Sequence, residues 1–193
     1  MDLSRVAAHE STTRSGATRD AAVLVPVVRR DGGDALLFTK RADHLGEHAG
    51  EMSFPGGGRE PEDGDLRATA LREAEEEIGL RPTEASVVGT LDDIYTVTDY
   101  AVRPFVGTIP DRRYTPHENE VAEIAVIDVA DLLDPANYEA DERVHPEYGE
   151  VHIDYFHVGD YTVWGATGRI LAQLLGVAAG WSRPTGATRE GDA

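Results

Sequence analysis

Apolar and polar positions change their period along the chain, and each change marks an element. Ala22 to Val28 and Ala35 to Thr39 are short apolar runs joined by Asp31-Gly32-Gly33-Asp34, a pattern that predicts two strands closed as a hairpin. Gly50 to Phe54 adds a short strand. From Leu66 the apolar positions become Leu66, Ala70, Leu71, Ala74 and Ile78, a helical stripe, with Asp65 placed to cap its start and Gly79 to end it. Ser86 to Leu91, Ala101 to Ile109 and Glu120 to Val129 read as strands, and Val129 to Leu133 starts a short helix stopped by Pro135. Val151 to Val158 alternates like a strand, whereas Thr167 to Ala178 is apolar at helical spacing, with Ile170, Leu171, Leu174 and Leu175 as its buried face. Pro135 to Gly149 is the longest loop-like stretch. This order predicts an α/β or α+β domain on a mixed sheet. Residues 1–19 and 182–193 have no periodicity and are expected to be disordered tails around a domain over 20–181.

Composition narrows the function classes. The 193 residues are 40% hydrophobic, a globular balance, and carry 36 acidic against 18 basic residues, a net charge of −18. So negative a surface excludes nonspecific binding to nucleic acid or anionic membrane. Lys40 is the only lysine, and acid excess with lysine scarcity suits a protein bathed in concentrated salt, a halophilic setting. There is no cysteine, which removes disulfides, thiolate metal sites and cysteine nucleophiles. No apolar stretch nears the ~20 residues needed to span a bilayer, and residues 1–20 lack the apolar core of a secretory signal, so the expected address is cytoplasmic.

Glu73, Glu76 and Glu77 stand at i, i+3 and i+4 and emerge on one helical face, away from Leu71, Ala74 and Ile78. Two readings are open. In so acidic a chain the run is a solvated face; alternatively, the carboxylates are the hard oxygen ligands that Mg²⁺ or Mn²⁺ requires. Upstream lies Phe54-Pro55-Gly56-Gly57-Gly58, a glycine loop whose backbone can approach a ligand, leading into the acidic helix.

With that loop before it, Arg72-Glu73-Ala74-Glu75-Glu76-Glu77-Ile78-Gly79-Leu80 resembles the second half of the Nudix hydrolase box at every defined position. The first half departs by one residue. Counting back from Arg72 puts Gly58 on the box's first glycine and Gly64 on its glutamate, while counting forward from Gly57 puts Asp63 on that acid. The longer loop resembles the coenzyme A diphosphatase branch. So do Leu37-Phe38-Thr39-Lys40-Arg41 followed by Gly50 and Phe54-Pro55-Gly56-Gly57, Leu91-Asp92-Asp93-Ile94-Tyr95-Thr96, Val102-Arg103-Pro104-Phe105-Val106-Gly107, Asn119-Glu120-Val121-Ala122-Glu123 and Trp164-Gly165-Ala166-Thr167. Gly46 stands where that branch has an arginine.

The resemblance implies a Nudix-type α/β/α sandwich with a mixed β-sheet, and water attack on a diphosphate linked to a nucleoside, with Mg²⁺ or Mn²⁺ as cofactor. The implied substrate is coenzyme A or acyl-CoA, split to adenosine 3′,5′-bisphosphate and a phosphopantetheine. ADP-ribose, NADH or a nucleoside triphosphate are the other substrates such a scaffold takes, and a noncatalytic ligand sensor is the alternative outside enzymes. Glu73, Glu76 and Glu77 are the implied metal ligands, Glu73 doubling as a candidate base, with the Gly56 carbonyl completing the shell. Arg72 is expected to orient Glu73 or Glu76. Glu120 or Glu123 supplies a further acid, with Glu120 the one assigned a catalytic role. Arg41 and Arg103 have forks suited to phosphate, Arg59 is a further available cation, and Gly57 and Gly58 offer backbone to the substrate. Tyr95, Tyr100 and Phe105 are candidates for stacking on adenine, Trp164 is expected in the core, and His44, His48 and His117 on the surface. The expected partner is a small nucleoside diphosphate; a homodimer is compatible with the sequence.

Overall fold

The first hairpin is apolar on both sides of its strands, and the molecule covers both sides. The computed structural model describes residues 1–13, 17–42, 44, 50–96, 98–145 and 149–184. Along the chain the elements are α1 (Leu3–Ala7), β1 (Arg19–Arg30), β2 (Gly33–Arg41), β3 (Met52–Ser53), β4 (Gly56–Gly58), α2 (Leu66–Ile78), β5 (Ser86–Thr90), β6 (Ile94–Tyr95), β7 (Tyr100–Ile109), β8 (Val121–Asp128), α3 (Val129–Leu133), β9 (Tyr138–His145), β10 (Gly149–Val158), β11 (Tyr161–Val163) and α4 (Gly165–Ala179). β3, β2, β1, β7 and β5 lie side by side, while β4 adds to β1, β6 to β7 and β8 to β2. β1 and β7 run parallel and their other pairings are antiparallel, so the sheet is mixed, as expected. β11, β10 and β9 form a second, antiparallel sheet.

Period-two alternation sorts the side chains into two cores. Ala22, Leu24 and Val28 of β1 with Ala35 and Leu37 of β2 meet Ala70, Ala74 and Ile78 of α2 on one face. Ala21, Val25, Val27, Leu36 and Phe38 turn to the other, where Ile170, Leu171, Leu174 and Leu175 of α4 and Phe156 of β10 close over them. Each fully buried leucine there contributes roughly 1.5–3 kcal/mol of transfer free energy. The expected layering of helices on both faces of a mixed sheet is what forms.

α2 takes its predicted bounds. The Asp65 side chain accepts from the Ala68 amide at 2.8 Å, and Gly79, at φ +66°, closes the helix in the left-handed conformation. Ala70 and Ala74 are small enough to let the helix lie close to β1 and β4, which sets the position of its acidic face.

Five expectations are corrected. The glycine triplet is a strand rather than a loop: Gly56, Gly57 and Gly58 pair with Val23, Ala22 and Ala21. A Cβ at Gly56 would lie 2.4 Å from the Ala22 carbonyl oxygen, so the strand must be bare to fit there. The stretch over 1–19 contains α1, in which Leu3 and Val6 are buried, and the Asp2 amide donates to the Ala178 carbonyl at 2.8 Å. Five residues are too short for periodicity to register. Most of Pro135 to Gly149 is β9, an edge strand whose inward residues include Tyr138 and Ala140. Trp164, expected in the core, is 39% exposed and stacks on Tyr155. Of the expected C-terminal tail, Arg183 is anchored: its Nε and Nη2 donate to the fully buried Asp154 at 2.7 and 2.8 Å, and Tyr138 Oη donates to the same carboxylate. Residues 185–193, Gly46 and His48 lie outside the described residues.

Candidate active site

The site is built where α2 crosses the bare strand β4. Because Gly57 has no side chain, the Glu73 carboxylate sits against its Cα: a Cβ there would come within 2.5 Å of Glu73 Oε1. Burial raises the Glu73 pKa from its ordinary value despite the adjacent Arg72 guanidinium. Glu77, one turn on, is pushed up to about 8, first by burial, then by the charges of Glu73 and Glu120, against a hydrogen bond from the Gly56 backbone and the charge of Arg41. Its Oε2 is buried without a hydrogen-bond partner among the described residues. Glu76 is half-exposed and Glu75 exposed.

Arg72 organises the entrance to this face. Its Nε and Nη2 donate to Asp63 Oδ1 and Oδ2 at 3.0 and 3.2 Å, its Nη1 to Glu76 Oε2 at 2.9 Å, and its Nη2 to the Gly58 carbonyl at 3.2 Å. Nη2 also lies 3.0 Å from Glu73 Oε1. One guanidinium thus ties the loop, β4 and two glutamates together. Asp63, the acid reached by counting forward from Gly57, is the main anchor of Arg72. Besides Arg72 it accepts from Thr69 Oγ1 and the Glu60 amide, both at 2.9 Å, and Arg72 first of all holds its carboxyl well below the usual range.

Glu120 arrives from the far side. The Thr115 amide donates to the Ile78 carbonyl at 3.2 Å and the His117 amide to that of Glu77 at 2.9 Å, so this segment satisfies the open end of α2. A turn back to the His117 carbonyl then brings Glu120 near enough to raise the pKa values of Glu73 and Glu77. The structure therefore separates the two acids left open by the sequence: Glu123 accepts instead from Tyr161 Oη. His117 matters through its backbone, which no sequence signal marks.

The expected phosphate arginines differ in setting. Arg41, at the end of β2, faces Glu77 closely enough for its charge to be felt. Arg103 is already engaged, its Nε and Nη2 donating to the buried Asp93 at 2.8 Å each. Phe105 is core, and Tyr95 and Tyr100 are half-buried. His44 is exposed.

The donor set fits a divalent cation. Carboxylates that raise one another's pKa, one with an orphaned buried oxygen, are short of positive charge, and all are hard oxygen donors. Among the described residues no three acids or histidines already surround one cation position, and Glu76 is turned to Arg72.

A mixed sheet between helices, with a glycine strand backing an acidic helix, is the arrangement expected of a Nudix-type fold, and membership of that family makes the chain a hydrolase of pyrophosphate bonds in nucleoside diphosphate derivatives. The chain belongs to the Nudix family: the family model described as the NUDIX domain matches residues 18–148. It is 39% identical over 168 residues to the uncharacterized Nudix hydrolase NudL of Escherichia coli O1:K1 / APEC, covering 81% of each chain. Among solved structures it resembles the Nudix hydrolase RenU of M. smegmatis (TM-score 0.51, 20% identity, 63% of this chain and 77% of that one). It also resembles the NUDIX domain of Shewanella oneidensis NrtR, solved with ADP ribose (TM-score 0.50, 18% identity, 62% and 78%). These two likenesses are of fold.

Proposed function

We propose that this chain hydrolyses the diphosphate linkage of coenzyme A or its acyl thioesters, giving adenosine 3′,5′-bisphosphate and a phosphopantetheine. The observation that carries the reaction is the meeting of Glu73, Glu77 and Glu120 beside Gly57, with Glu76 held at the same face by Arg72. A bound Mg²⁺ or Mn²⁺ would be held by Glu73, Glu76 and Glu77 with the Gly56 backbone, and would supply charge neutralisation at the diphosphate and acidify the attacking water. Arg72 keeps two of those carboxylates from wandering. The Glu120 carboxylate makes no hydrogen bond or ion pair among the described residues and borders the cluster, so we place it as acceptor of the water proton as the new P–O bond forms and the anhydride P–O bond breaks. Arg41 and the backbone of Gly57 and Gly58 would steady the diphosphate.

The choice of coenzyme A rests on the segments that resemble that branch. They lie on the strands framing the site: Leu37 to Arg41 on β2, Phe54 to Gly57 leading into β4, and Asn119 to Glu123 at the start of β8. A panel of coenzyme A, dephospho-coenzyme A, ADP-ribose, NADH and nucleoside triphosphates with Mg²⁺ or Mn²⁺ in high KCl tests it. Coenzyme A is expected to have the highest kcat/KM, with adenosine 3′,5′-bisphosphate found by chromatography; faster cleavage of ADP-ribose would overturn the assignment. Independently, Glu76→Gln and Glu77→Gln should each lower turnover by about 10² to 10⁴. Near wild-type turnover of Glu76→Gln at saturating metal would sink the metal-site reading.

A further inference from the structure

Several arginines in this chain are paired with acids: Arg30 with Asp111, Arg81 and Arg112 with Glu84, Arg103 with Asp93, Arg183 with Asp154. Two that face a single cleft are not. A cleft of about 390 Å³ opens beside β4, lined by Arg19, Arg59, Tyr100 and Gly58, with Asp20 and Glu60 also on its wall. The Arg19 guanidinium lies over the Tyr100 ring, 4.4 Å from its centroid, with Nη1 donating to Tyr100 Oη at 3.2 Å and Nη2 to the Thr98 carbonyl at 3.1 Å. Arg59 Nη2 donates to the carbonyls of Asp63 and Gly64 at 3.3 and 3.5 Å.

Both cations are therefore oriented by neutral groups, and among the described residues neither pairs with a carboxylate. The two acids on the wall look elsewhere. Glu60 approaches Arg72, at 3.9 Å, and Asp20 acts on Arg103, while its carbonyl accepts from the Arg59 amide at 3.0 Å. In a chain of charge −18, two held and uncompensated guanidiniums are a specific arrangement, with N–H groups left to donate to an anion. The cleft also shares a wall with the site. Gly58 faces Tyr100, a Cβ there being 3.8 Å from the ring, while its carbonyl accepts from Arg72; Gly57 beside it backs Glu73. A nucleotide whose diphosphate lies at the carboxylates can reach the cleft past bare backbone.

We propose that Arg19 and Arg59, with Tyr100 steadying Arg19, form a subsite for a phosphate monoester on the nucleoside part of the substrate. This rests on the coenzyme A reading for the identity of that group, its 3′-phosphate, and makes the cleft what distinguishes coenzyme A from ADP-ribose. The arginine that the related branch carries at Gly46 then has a functional replacement from other elements.

Calorimetric titration with adenosine 3′,5′-bisphosphate and with adenosine 5′-monophosphate tests the subsite without requiring hydrolysis. The wild type is expected to prefer the bisphosphate at least tenfold, and R19A and R59A each to cut that preference several-fold, with R59K retaining part of it. Equal affinities in the wild type, or variants that weaken both ligands alike, would overturn the subsite. Unchanged melting temperatures of the variants exclude misfolding as the cause. A wild type that prefers the bisphosphate yet does not cleave coenzyme A would leave the subsite standing and defeat the substrate assignment instead.

Discussion

At the scale of single residues, two positions test how tightly the acidic face is held. Gly57→Ala would drive a methyl into the Glu73 carboxylate, and displacement by about 1 Å costs on the order of 10² in rate, so kcat should fall by about that factor while the fold, followed by circular dichroism, persists. Asp63→Ala removes the main anchor of Arg72 without touching the reacting face; turnover should drop about ten- to a hundredfold, the cost of losing an outer partner of a metal ligand, and the apparent affinity for Mg²⁺ should weaken with it. The pKa of Glu77 gives a pH prediction. Raised in the folded chain to about 8 from an ordinary value of 4.5, it makes the native state hold an extra proton between those values. Stability of the metal-free protein should therefore decline as pH rises through that window. Thermal melts in chelator between pH 5 and 8 check the decline, and adding Mg²⁺ at pH 8 should raise the melting temperature.

Among elements, those with a strong period were legible and those defined by pairing were not. The bounds of α2 follow from its stripe, the Asp65 cap and Gly79, and the first hairpin follows from two apolar runs about a turn. β9 was missed because Glu139, Asp141 and Glu142 hide its alternation, and an edge strand in an acidic chain is read as loop. β4 was missed because strand propensity is no guide to three glycines whose place is fixed by what they must not collide with. Of the site, the helix acids and Arg72 were legible as a motif, whereas the approach of Glu120 to those acids depends on His117 and Thr115 satisfying the end of α2, a contact with no signature. The contact of Arg183 with Asp154 shows the same limit and can be measured. Arg183→Ala leaves a buried carboxylate with Tyr138 alone, and should cost about 2 kcal/mol, less than a fully buried pair because Arg183 is half-exposed. For a chain of this size that is a fall of about 4–8 °C in melting temperature.

For the whole molecule the dominant long-range fact is charge. At −18 the folded state repels itself, and the Debye length shrinks from about 10 Å at 0.1 M salt to about 3 Å at 1 M. Molar KCl should therefore raise the melting temperature, and a midpoint that does not rise would remove the inference of a saline setting. Among the described residues no helix is long and apolar enough to cross a membrane.

The parallel pairing of β1 with β7 bears on how the chain reaches this state. Every partner pair in that ladder, from Arg19 with Tyr100 to Val28 with Ile109, is 81 residues apart. The innermost strand of the sheet therefore has one side filled by its neighbour in the hairpin while the other waits for a segment made much later. Closing so long a loop is entropically unfavourable before any contact rewards it, so the folding barrier should be dominated by this one docking event. Until it occurs, the β1 edge is an open, apolar template on which a second unfolded chain could pair. Stopped-flow refolding in the millisecond-to-second range, with a yield that falls as protein concentration rises, is the expected behaviour.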